Sequence, residues 1–241
     1  MSFTPVLASE WLKIRTLRSL YGSLVALVAV AAGFAGLAGT SDTADPDFDP
    51  LFTVFLGVGP AQIAAIAFGA MAVSSEFQGG GLRQALTAVP RRGRWFAAKA
   101  TAVAVPALVV GLVTGSLSLL VGRAALGEAA DGLTAAEQLR GVAGCGIYLM
   151  LMALLATGLA ALLRSGVATL SILVPFVLVV SFVIGDAAGG ATDFLPDRAG
   201  QVALHETWDG ALGPWTGLTV TALWAAVALG AGAWSVHRRD A

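Results

Sequence analysis

Six runs of the sequence, 20–38, 51–73, 100–122, 142–163, 167–185 and 214–236, contain no Asp, Glu, Lys, Arg or His. Each is close to the ~20 apolar residues that a helix needs to cross the hydrocarbon of a bilayer. Backbone in that medium must satisfy its own hydrogen bonds, which continuous apolar runs of this length achieve as helices. Charged residues make up 12% of the 241, against roughly 25% in a soluble domain, too few to cover a water-facing surface. The expected fold is therefore an all-α integral membrane protein. It has six transmembrane helices preceded by an amphipathic interfacial helix, with both termini cytoplasmic.

The interfacial helix is expected over 5–18. Thr4-Pro5 is a helix-start signal, because proline is tolerated where the amide has no partner. Leu7, Trp11, Ile14, Leu17 and Tyr21 then recur at steps of three and four, an apolar stripe. Trp11, Lys13, Arg15 and Arg18 are the candidate membrane-interface residues on this helix, set to meet headgroups and anionic lipid. A solvated basic leader is the alternative. The run 20–38 could be a cleavable signal, but its length and basic preamble favour a retained span. In the second run Gly59-Pro60 is expected to bend the helix, and in the third Gly111-x-x-x-Gly115 would admit a close neighbour. Cys145, the only cysteine, reads as a small packing residue.

The charges set the orientation. With the N-terminus in the cytoplasm, Lys13, Arg15, Arg18, Arg83, Arg91, Arg92, Arg94, Lys99, Arg164, Arg238 and Arg239 lie inside, 11 of the 14 cations, and Arg123, Arg140 and Arg198 lie outside. Of the 15 acids, only Glu10, Glu76 and Asp240 fall inside. The positive-inside rule selects this topology. It places 74–99 in the cytoplasm and 186–213 outside, a polar segment that Phe194-Leu195-Pro196 and Trp208 interrupt.

Several chemistries are excluded. A phosphate-cradling loop needs Gly-Lys before Ser or Thr, and the two lysines follow Leu12 and Ala98. ATP would have to be hydrolysed by another chain. Ion-coupled transport commonly uses ionisable groups at membrane depth, and the six runs hold none. His205 and His237 fall on opposite sides and cannot share a metal, and neither lies at span depth to serve a serine nucleophile. Gln62 is the strongest polar group within a span, a candidate for the pathway or for an interhelical hydrogen bond. A net charge of −1 gives no bulk attraction to nucleic acid.

The loop 74–99 is what remains. Leu82, Leu86 and Val89 recur at helical steps, Pro90 ends the pattern, and Arg91, Arg92 and Arg94 precede Trp95 and Phe96. Trp95 is a candidate interface anchor. By residue pattern alone this is either an ordinary positive-inside loop or a docking helix that receives force from a motor.

Glu76, Gly80, Leu82, Arg83, Leu86, Pro90 and Arg92 resemble the E-x3-G-x-[IL]-R-x2-L-x3-P-x-R loop of ABC-2-type permeases, the membrane subunits of ATP-binding-cassette transporters. Ser9-Glu10-Trp11-x-Lys13 is similar to that family's opening, and the layout of spans agrees. Three consecutive glycines, Gly79–Gly81, depart from the pattern. The resemblance implies ATPase-coupling residues Glu76, Gly80, Leu82, Arg83, Leu86 and Val89, with Glu76 anchoring the loop to Arg83 or to the interfacial helix. It implies a separate ABC ATPase subunit carrying ATP and magnesium, no cofactor in this chain, a second permease copy or homologue, and residence in a bacterial cell membrane. For 186–213 the resemblance implies the family's short re-entrant helices, and an ordinary surface loop is the other reading. Uncharged spans suggest a hydrophobic or amphipathic cargo. An autonomous secondary transporter and a non-transporting scaffold or immunity-type protein are the alternatives.

Overall fold

The computed structural model describes residues 3–77, 81, 91–180, 189–208 and 210–238. These residues form helices and connecting turns, with no strand among them. Helix α1 (Phe3–Thr16) is followed, after a break at Leu17, by α2 (Arg18–Ala35), which tightens into a 3-10 turn, Gly36–Thr40. Leu17 is in an extended conformation, so α1 can turn away from the axis of α2. Val6 and Ile14 face inward from α1, and Trp11, Arg15 and Arg18 are exposed.

The second run is not one helix. Its first part is α3 (Pro50–Val54), capped by Asp49, whose side chain accepts from the Phe52 amide. A turn at 55–57 separates it from α4 (Val58–Ser74), which ends in a 3-10 turn, Ser75–Phe77. The break falls before Gly59-Pro60 rather than at it. Pro60 sits in the first turn of α4, where the missing amide costs no hydrogen bond.

Helix α5 (Arg92–Leu126) starts well before the expected 100 and runs past 122. At 1.5 Å per residue it is about 50 Å long, so its charged first turns continue the helix beyond the apolar stretch. Helix α6 (Ala135–Leu163) begins with a capping box between Thr134 and Glu137 and ends at Arg164, whose φ of 54° is left-handed. Helix α7 (Gly166–Pro175) passes into a π-turn, Phe176–Val180, and the last residues of the fifth run lie outside the described set. A 3-10 stretch, Gly189–Phe194, α8 (Pro196–Gln201) and a further 3-10 turn, Val202–Leu204, lead to α9 (Pro214–Arg238).

Among the described residues, five helices are long and apolar enough to cross a membrane: Arg18–Thr40, Val58–Phe77, Arg92–Ala130, Ala135–Leu163 and Pro214–Arg238. Gly166–Val179 is a shorter apolar helix. Among the described residues, the expected span over 167–185 is thus represented by less than a full crossing.

Helix α6 is the axis of the bundle. It packs against α4, α5, α7 and α9, and 67% of its most apolar window is buried, against 28% in α9. Glycines set the approach distances. A side-chain carbon on Gly111 would lie 2.9 Å from the Gly146 backbone, and one on Gly158 would overlap the carbonyl carbon of Ala228. Gly111-x-x-x-Gly115 thus receives α6. The outward faces are apolar in turn: Leu120 is 67% and Val227 70% exposed, a surface suited to lipid rather than water.

The segment between α7 and α9 packs along the first half of α9. The Thr221 hydroxyl donates to the Pro196 carbonyl at 2.8 Å and the Trp224 indole to the Phe194 carbonyl at 2.9 Å. Asp197, Ala199 and Gly200 are buried there.

Candidate functional site

At one end of the bundle, four charged side chains from three elements meet. Glu10 and Lys13 lie one turn apart on α1, Glu76 closes α4, and Lys99 lies in the second turn of α5. The Lys13 ammonium donates to Glu76 Oε1 at 2.7 Å and to Glu10 Oε1 at 3.0 Å. The Lys99 ammonium donates to Glu76 Oε1 at 2.8 Å and to Glu10 Oε2. Two acids and two bases thus alternate in a closed, neutral ring.

Lys99, Glu10 and Glu76 side chains are 3%, 5% and 7% exposed, and Lys13, at 40%, forms the solvent edge. Burial opposes the Lys13 ammonium, but the hydrogen bond to Glu76 and the charge of Glu10 outweigh it and hold its pKa above the usual lysine value. Charges taken from water this completely persist only when each is paired. The ring is therefore a fastening whose members depend on one another. Val6, Glu10 and Ile14 recur at steps of four as the buried face of α1, and Lys13 lies at its border, whereas Trp11 and Leu17 of the expected apolar stripe are exposed.

Further contacts surround the ring. Phe77 lies under the Arg164 guanidinium, 5.6 Å from its ring centre, which ties the end of α4 to the α6–α7 turn. Gly81 returns against Glu76, where an added side-chain carbon would lie 3.1 Å from the Glu76 carbonyl oxygen. Arg92 donates to the carbonyls of Val236 and His237 at 2.9 and 3.3 Å, fastening the start of α5 to the end of α9. Both ends of the connection between α4 and α5 are thereby held to the bundle. The connection's own residues Gly80, Leu82, Arg83, Leu86 and Val89 lie outside the described set.

The remaining candidates from the sequence fall in different places. Trp11, Arg15 and Arg18 are on the exposed side of α1 and the start of α2. Trp95 is no surface anchor: it is 1% exposed, packed inside the protein with the Lys99 ammonium 5.9 Å from its ring. Gln62 is buried and accepts a hydrogen bond from the Tyr148 hydroxyl of α6. That hydroxyl in turn accepts from Gln201 of α8 at 3.2 Å.

Sequence reasoning named Glu76, Glu10 and Lys13 without bringing them together, and gave Lys99 only a place among the loop cations. A signal was present. Lys13 and Lys99 are the only lysines among fourteen basic residues, and Glu10 and Glu76 are two of the three acids expected on their side.

A second polar assembly occupies the opposite end. Asp49 accepts from the Glu206 amide at 3.0 and 3.2 Å and contacts His205 Nδ1 at 3.0 Å. Asp49 and His205 border an open vestibule of about 930 Å³ that also carries Asp42, Asp45 and Asp47.

A helical bundle with apolar outward faces and, among the described residues, five helices long and apolar enough to cross a bilayer is that of a multi-pass membrane protein. The family described as ABC-2 family transporter protein matches residues 6–184. The chain belongs to that family. No curated protein matches it.

Proposed function

We propose that this chain is the permease subunit of an ABC-2-type exporter, forming the membrane pathway and coupling to a separate ATPase subunit. The observation that carries the reading is the buried ring of Glu10, Lys13, Glu76 and Lys99. Through Glu76 and Lys99 it joins the two helices that flank the 78–91 connection, whose sequence resembles the loop through which such permeases meet their ATPase. Force delivered to that connection would reach α1, α4 and α5 together, because the ring joins all three.

In this reading α1 and the ring face the cytoplasm of a bacterial cell, as the cation distribution favours. ATP and magnesium reside on the partner. A dimeric ATPase requires two permease halves, supplied by a second copy or a homologue. Leu82, Arg83, Leu86 and Val89 would form the docking helix. The cargo is hydrophobic or amphipathic, in keeping with six apolar runs that carry no Asp, Glu, Lys, Arg or His.

Two experiments test the reading. Solubilised protein should co-purify with a nucleotide-binding subunit, and the reconstituted pair should hydrolyse ATP faster when cargo is present. Cargo movement driven by a proton or sodium gradient in ATP-free proteoliposomes would instead identify a secondary transporter.

A further inference from the structure

We propose that His205 and Asp49 form a proton-sensitive latch holding the α8–α9 connection onto the start of α3, at the end of the bundle opposite the ion ring. The contact joins residues 156 positions apart in sequence, and both side chains are mostly enclosed, 18% and 16% exposed. The imidazole is held between two aromatic rings. Phe52 of α3 is stacked on it with centres 4.2 Å apart and planes 9° from parallel, and Trp208 lies 4.8 Å away on its own segment. The histidine therefore has a fixed seat in which its Nδ1 points at the Asp49 carboxylate.

Asp49 is the point where three donors converge: the Phe52 amide of its own helix, the Glu206 amide and His205. Arg140 of α6 holds the same strand of chain from the other side, donating to the carbonyls of His205 and Glu206 at 2.6 and 3.3 Å. The charged groups facing the latch are Asp49 from α3, Arg140 and Glu137 from α6, and Glu206 beside the histidine, with Asp42, Asp45 and Asp47 across the vestibule. Burial and the nearby Glu137 and Asp49 carboxylates hold Glu206 above the usual carboxylate range, which reflects the same crowding of negative charge.

Histidine is the side chain that changes charge in ordinary conditions. Asp49 is a carboxylate, so a neutral ring already gives it a hydrogen bond with one charged partner. A protonated ring adds the second charge and makes the contact an ion pair. Mild acid therefore tightens the latch and mild alkali loosens it. The Glu206 amide, which donates directly to Asp49, reports the state of the contact.

The test is amide hydrogen exchange of the full-length protein in lipid nanodiscs, followed for peptides covering 205–208 and corrected for the intrinsic pH dependence of exchange. Protection in the wild type should fall severalfold between about pH 5.5 and pH 8, as the second charge of the pair is lost. His205→Gln should show the lower protection at both pH values, with amides of α6 unchanged as the check that the fold is intact. Asp49→Asn should behave likewise. Protection that is flat with pH in the wild type, that falls equally in His205→Gln, or that falls together with the α6 amides would overturn the proposal.

Discussion

At the residue scale, the ring makes a prediction that separates charge balance from charge identity. Glu76→Gln leaves Lys13 and Lys99 facing Glu10 alone, and Lys99→Met leaves two carboxylates facing Lys13. Removing one partner of a buried pair costs ~3–5 kcal/mol, so each single variant should unfold at distinctly lower temperature in a thermal melt. The double variant Glu76→Gln/Lys99→Met keeps the Glu10–Lys13 pair and removes both unmatched charges. It should regain most of the lost stability while still failing to couple to an ATPase. Asp49 supplies a pH dependence. Burial pushes its carboxyl up, but the hydrogen bonds from His205 and from the Phe52 and Glu206 amides outweigh this and hold it below the ordinary 3.8. A carboxylate with a depressed folded-state pKa contributes stability above pH 3.8 and loses it as pH falls through the lower folded value. Acid melts of the wild type should therefore lose stability more steeply below that point than those of Asp49→Asn.

At the element scale, the apolar runs located the membrane helices because a stretch of about twenty residues without charge matches the thickness of a bilayer and little else in a folded chain. Their ends were harder to read. Arg92, Arg94 and Lys99 marked a boundary at 100 in the sequence, yet α5 runs through all three, since Lys99 is neutralised by Glu10 and Glu76 and Arg92 caps α9. Pro60 marked a bend, but a proline in a first turn starts a helix more readily than it kinks one, and the break moved to 55–57. The ring was half legible. Glu76, Glu10 and Lys13 stood out by resemblance, whereas Lys99 needed the third dimension to meet Glu10, 89 positions away in sequence. The helix contacts make a separate prediction. Gly158→Leu has no space against Ala228, and an intrusion into a packed interior typically costs ~1–3 kcal/mol. Gly33→Ala, where nothing lies within 4 Å of the added carbon, should leave the melting temperature nearly unchanged.

At the scale of the whole molecule, two polar assemblies sit at opposite ends of α4, and α6 runs between them. The ring joins α1, α4 and α5; the Asp49 assembly joins α3, α6 and the connection to α9. Between the ends, the glycine-lined contacts of α6 keep the helices close enough for movement at one end to be felt by its neighbours as a rigid displacement. The outward apolar faces of α2, α5 and α9 are free to meet lipid or a second copy. In the proposed reading the ring is the input, fastened to several helices at once, and the Asp49 assembly is the far end whose contacts are remade. The most direct measurement of the central claim is cargo-stimulated ATP hydrolysis by the reconstituted permease–ATPase complex, compared between wild type, Glu76→Ala and Leu86→Asp. Loss of stimulation in both variants, with insertion and folding retained, is the predicted result; wild-type turnover in both would contradict it.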